Sequence, residues 1–298
     1  MIHRVLCIGE CMVEFAPRPD GSYVQGFAGD TFNMAWYLRR CLPPDWVIDY
    51  FTALGDDPMS ERMLAFMTDA GIGTGHIARL AGLAPGLYVI SLQGGERSFS
   101  YWRGQSAARQ LAGDSNKLAQ AFTGIGLMVL SGITLAILPE KDRHTLLAAL
   151  AIARKAGSRI AFDPNIRPRL WESPSVMCDW IGRAAAIADM VLPSFEDEAR
   201  HFGDITSEAT VARYIAAGAG LVVVKNGAGT IHWQSGSNKG TTTPHPVPET
   251  IDTTAAGDSF NAGFLAAHLT GQPLPEAIAQ GACLAAKVIQ ARGALVRV

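Results

Sequence analysis

Leu221-Val222-Val223-Val224-Lys225-Asn226-Gly227-Ala228-Gly229-Thr230 joins four consecutive apolar residues to a polar turn rich in glycine. Unbroken rather than alternating hydrophobicity marks a strand covered on both faces, as in a parallel sheet. Outward along the chain the same pattern recurs at residues 4–8, 127–130, 159–162 and 190–192. Helical periodicity fills the intervals at 32–41, 60–70, 140–156, 176–188 and 208–217. Such alternation folds through right-handed crossovers, so the expected class is α/β: an open, mostly parallel sheet with helices on both faces.

Two regions break the rhythm. Residues 12–27 and 86–103 read as antiparallel strands, the second a hairpin turning at Gly94-Gly95. Neither has enough core to stand alone, so together they are expected to form a small β-sheet lid on a single domain spanning 1–298. The last third reads as two alanine-rich helices, 256–269 and 274–291.

At 298 residues and 48% hydrophobic content the chain can bury a sizeable core. A formal net charge of -2 with 17% charged residues gives no basic face for nucleic acid and no polybasic segment for a membrane surface. The expected partner is a small molecule. Five cysteines, an odd number without a CxxC pair, read as buried free thiols in a reducing cytosol. The opening MIHRVLCIGECMVEF has neither the pattern of a signal peptide nor that of a membrane span, and the expected location is the cytoplasm.

Chemistry concentrates in Asp252-Thr253-Thr254-Ala255-Ala256-Gly257-Asp258-Ser259-Phe260-Asn261-Ala262-Gly263-Phe264. Small residues precede a periodic helix, so the N–H groups of Ala255, Ala256, Gly257 and Asp258 fall in its first turn without intrahelical partners. Free amides at the positive end of a helix make an anion site suited to a transferring phosphoryl group. Asp258 beside that site can accept the proton of an attacking hydroxyl. An acid at a helix start is also favoured without any function.

This run closely resembles the C-terminal signature DTTGAGDSF of the PfkB-type, ribokinase-like carbohydrate kinases. The resemblance implies a ribokinase-like fold, ATP and Mg²⁺, and Asp258 as catalytic base. Ala255 stands where most members have glycine, a tolerable departure if the position supplies only its N–H. Gly26-Phe27-Ala28-Gly29-Asp30-Thr31-Phe32-Asn33 resembles the first family signature, with Gly29 and Asn33 as sugar contacts and Ala28 replacing a usual glycine. Phe162-Asp163-Pro164-Asn165 matches the family DxN, which implies Asn165 near the phosphates, and Ser194 and Asp197 fall where relatives carry NxxE around magnesium. Lys225, Gly227 and Gly229 resemble the nucleotide loop. Likeness to ribokinase adds a monovalent cation such as K⁺ near Asp252. No GxxxxGK[ST] loop occurs, which disfavours P-loop kinases.

For the second substrate, Tyr101 and Arg103 fall on one face of a strand, and Arg167 follows the strand ending at Asp163. Two guanidinium groups converging on one cleft are costly without an anion, and a carboxylate would satisfy both. These stretches resemble the 2-keto-3-deoxygluconate kinases of the family, which implies Tyr88 and Tyr101 on the sugar oxygens, Arg103 and Arg167 on its acid or keto end, and phosphorylation of the terminal hydroxyl. Fructose, ribose or a nucleoside as substrate, and a non-catalytic sugar sensor, are the alternatives. Apolar lid positions suggest a dimer joined through the lid.

Overall fold

The computed structural model describes residues 2–93 and 96–298. Along the chain β1 (Arg4–Ile8) leads to β2 (Met12–Pro17), β3 (Tyr23–Ala28), α1 (Asp30–Cys41), β4 (Val47–Phe51), the short β5 (Ala53–Leu54), α2 (Pro58–Asp69) and β6 (Ala78–Arg79). The pair β7 (Leu87–Gln93) and β8 (Glu96–Trp102) precedes α3 (Ser115–Phe122), β9 (Leu127–Ser131), α4 (Gly132–Ala136), α5 (Glu140–Lys155) and β10 (Arg159–Asp163). Then come α6 (Pro174–Ile187), β11 (Met190–Val191), α7 (Phe195–Phe202), α8 (Ser207–Ala217), β12 (Leu221–Val224), β13 (Ile231–Ser235), β14 (Asn238–Thr242), α9 (Ala256–Leu269) and α10 (Leu274–Val288).

The large sheet has the order β14-β13-β12-β11-β10-β9-β1-β4 and runs parallel from β12 to β4. Its apolar runs are covered on both faces for the reason read from the sequence. In β1, Val5 and Cys7 join one core layer with Phe264 and Leu265, while Leu6 and Ile8 join the opposite layer with Leu146 and Ile181. Successive side chains of a strand point to opposite faces, so a strand between two helix layers has no polar side to show. Each such large side chain contributes roughly 1.5–3 kcal/mol by leaving water.

Three strands of this sheet escaped the sequence reading. In β4 the run is interrupted by Asp49, a buried acid that accepts from Arg4 Nε at 2.6 Å. The antiparallel β13 and β14 extend the sheet edge, and β14, Asn-Lys-Gly-Thr-Thr, carries no apolar residue.

A second sheet has the order β3-β2-β7-β8. It is not wholly antiparallel as expected, because β2 and β7 pair in parallel, Val13 opposite Leu87. The turn expected at Gly94-Gly95 lies outside the described residues. Cysteines depart from expectation too: all are free, and Cys7 and Cys11 are buried, but Cys41 and Cys283 are exposed. No helix among the described residues is long and apolar enough to cross a membrane.

Candidate active site

A cavity of about 1380 Å³ opens between the small sheet and the C-terminal ends of the parallel strands. Open α/β sheets bind ligands at that end, beyond the strand carboxyl termini. Asp163, Ser194 and Lys225 line it from the ends of β10, β11 and β12, and Tyr88, Tyr101 and Arg103 from the small sheet. Gly29, Asn33, Asn165, Arg167, Asp197 and residues 255–258 line it as well. Gly227 and Gly229 are not in the lining.

Helix starts differ sharply around the molecule. At α2 the Asp57 carboxylate accepts from the N–H groups of Met59 and Ser60, and Pro58 follows, so the end is closed. At α9 the cap is Ala255, with no side-chain hydrogen bond, and the first turn opens on the cavity. Ala255 has φ 60 and ψ 17, the left-handed region. The departure from the family glycine is therefore not confined to an N–H, as the sequence reading assumed: the position demands a conformation that alanine resists.

Asp258 faces the cavity from the first turn of α9. Burial foremost, then the charges of Asp30 and Asp163, push its carboxyl up to about 7, against the opposing pull of Asn33 and Lys225. Asn33 Nδ2 donates to Asp258 Oδ2 at 2.8 Å. Asn33 was expected to contact sugar; in the structure it holds the acid. Gly29, expected to admit a sugar, has a nearer reason to be glycine, since a Cβ there would meet the carbonyl oxygen of Glu10 at 2.1 Å.

Below α9 lies a network the sequence did not reveal. Lys225 Nζ donates to Asp163 Oδ2 at 2.9 Å and to Asn261 Oδ1 at 3.1 Å, and Asn261 Nδ2 donates to Asp163 Oδ2 at 2.6 Å. All three residues are buried, and Lys225, which also lines the cavity, cross-links two strand ends and α9. Asn261 stands three residues after Asp258, on the same helical face, which is the signal that could have found it. Asn165, at φ 34, donates from Nδ2 to Asp30 Oδ2 at 2.8 Å and from its backbone to Asp163 Oδ1 at 3.0 Å.

The two arginines are both in the cavity, but each already has a protein acid. Arg103 pairs with the buried Glu10, which also accepts from Ser106 Oγ. Arg167 lies 3.7 Å from Asp197. The uncompensated positive charge expected from the sequence is therefore absent, because the fold brings Glu10 and Asp197 beside the two arginines. Arg103 Nε is buried without a hydrogen-bond partner among the described residues. Tyr88 donates to Glu14, and burial pushes its hydroxyl up; its ring lies 5.8 Å from that of Tyr101.

Among the described residues no three His, Cys, Asp or Glu side chains gather as a metal cage. Asp197 is a single carboxylate whose burial raises it above its usual range. Asp252 accepts from Thr254 N and Oγ1 and from Gly293 N, tying the segment before α9 to the C-terminal residues.

Comparison with known proteins gives a consistent picture. The family described as pfkB family carbohydrate kinase matches residues 2–296. A 2-dehydro-3-deoxygluconokinase of Haemophilus influenzae is 38% identical over 299 residues, covering 98% of this chain and 95% of its own. The protein of the same name from Escherichia coli K12 is 36% identical, with 99% and 98% covered. A PfkB protein from Polaromonas sp. JS666 superposes with TM-score 0.87 at 29% identity, covering 97% of this chain and 96% of its own.

Proposed function

Because the chain belongs to the pfkB family of carbohydrate kinases, we propose that it transfers the γ-phosphoryl group of ATP to the terminal hydroxyl of 2-keto-3-deoxygluconate, giving the 6-phosphate. The observation that carries the reading is the uncapped start of α9 opening on the cavity with Asp258 in its first turn. The relatives that share more than a third of their residues with this chain over nearly full length support the choice of sugar acid.

In this reading the amides of residues 255, 257 and 258 face the equatorial oxygens of the phosphoryl group, where negative charge is spread in the transition state, while the Ala256 N–H, expected free, already donates to Thr253 O at 3.2 Å. Asp258 takes the hydroxyl proton as the sugar oxygen bonds to phosphorus and the bond to ADP breaks. Arg103 and Arg167 face the acid end, with Tyr88 and Tyr101 beside the sugar. The small sheet acts as a lid that excludes water. Mg²⁺ fits Asp197 in the way that cation is usually held, by one or two carboxylates with substrate phosphates and water, and it would neutralise charge on the triphosphate. A monovalent cation at Asp252 gains no support from contacts that already engage both its carboxylate oxygens. The same proposal includes a cytoplasmic location and a dimer through the lid, where Trp102 is 62% exposed; particle mass in solution tests the dimer.

Coupled ADP release over a panel of 2-keto-3-deoxygluconate, fructose, ribose and a nucleoside tests the function. The sugar acid should give the highest kcat/KM. Preference for a neutral sugar overturns the substrate, and absence of turnover on every member overturns the kinase.

A further inference from the structure

We infer that Asn33 is the positioning residue of the base: it fixes Asp258 Oδ2 so that Oδ1 is the oxygen that receives the substrate proton. The inference rests on the reading of Asp258 as base and goes beyond it by assigning the two carboxylate oxygens different tasks.

Asn33 is buried in α1, four residues from its glycine cap, and both ends of its amide are used. Nδ2 reaches Asp258 Oδ2 at 2.8 Å, while Oδ1 accepts from Gly29 N at 3.4 Å. The amide orientation follows from its neighbours. A carboxylate only accepts and a backbone N–H only donates, so the flipped amide would oppose acceptor to acceptor and donor to donor. Asp258 Oδ2 is thus tied to α1, and Oδ1 has no hydrogen-bond partner among the described residues, in a side chain whose residue lines the cavity.

A tether of this kind does two things. It fixes the rotation of the carboxylate, which a short first-turn side chain otherwise explores, and near-attack geometry of a catalytic group is worth large factors in rate. It also donates to the charged form and so favours it. The other groups facing Asp258 are Asp30 and Tyr37 on α1, Asp163 at the end of β10 and Lys225 after β12. Asp30 and Asp163 disfavour the anion and Lys225 favours it, so the Asn33 N–H is one of few contacts holding the base ionised near neutral pH.

The test is the pH profile of kcat for Asn33→Ala and for the isosteric Asn33→Asp, on whichever sugar the wild-type enzyme phosphorylates best. As a positioning residue, Asn33→Ala should lower kcat by about 10–100-fold, change the sugar KM by less than about threefold, and move the acid limb up by about one pH unit, the scale of one hydrogen bond to a charged group. Asn33→Asp, placing acceptor against acceptor, should move the limb further. ATP binding measured calorimetrically should be retained in both, which reports an intact fold. The opposite pattern, a sugar KM raised about tenfold or more with kcat and the acid limb unmoved, makes Asn33 a sugar ligand and overturns the inference. Failure of the base assignment itself reads out separately, as near-normal turnover in Asp258→Asn.

Discussion

Replacing Asp258 by asparagine removes a charge and keeps a shape, and the structure assigns the change two effects of opposite sign. Asparagine can present its amide oxygen to Asn33 Nδ2, so the 2.8 Å contact survives while the base is lost. Removing a general base lowers turnover by about 10²–10⁴-fold. Stability should move the other way. The Asp258 carboxyl is raised in the fold from 3.8 to about 7. Between those values the folded protein therefore binds the proton that the unfolded chain has released, and wild-type stability falls as pH rises through the window. Roughly three units at about 1.4 kcal/mol each give an upper limit of about 4 kcal/mol, reduced because the side chain partly faces the solvent-filled cavity. Asp258→Asn should thus melt on the order of 5 °C above wild type at pH 8, with the gain shrinking below pH 7 and vanishing near pH 4. Scanning fluorimetry across pH 4–8, beside ADP release, measures both. A variant that keeps turnover within tenfold of wild type, or that melts lower than wild type at pH 8, refutes the reasoning.

Ala255→Gly should raise stability, because roughly 1–2 kcal/mol of left-handed strain is relieved against about 0.5–1 kcal/mol of added chain entropy. A small rise in the urea midpoint with unchanged slope is expected, and a fall would show that the Ala255 methyl packs well enough to outweigh its backbone. Glu10→Gln leaves Arg103 without its buried counter-charge and should cost about 3–5 kcal/mol, a drop in melting temperature on the order of 10 °C. An unchanged melting curve would mean that water in the cavity, not Glu10, neutralises the arginine.

Much of the architecture was legible because its cause is local. The apolar runs of β1, β9, β10 and β12 stand out for the same reason that they fold, being covered on both faces, and the start of α9 is visible as a run of small residues with alanine at the cap itself. What stayed hidden depends on partners distant in sequence. Lys225 reads as part of a glycine turn until Asp163 and Asn261, 62 and 36 residues away, are seen to hold it. Arg103 reads as a free cation until Glu10, 93 residues earlier, is brought beside it. Arg103 carries a physical point that Arg167 does not share. A buried guanidinium without an anion is too costly to keep in an empty site, so a protein that binds an acid through arginines must carry acids of its own to hold them while the substrate is away. Glu10 meets that requirement at the buried Arg103, whereas Arg167 is half exposed, so water screens it and its 3.7 Å approach to Asp197 answers no such cost. Charge excess in a cleft is consequently a poor guide to an acidic ligand, because an arginine that lines the cleft, as Arg103 does, can already be spent on an acid of the protein.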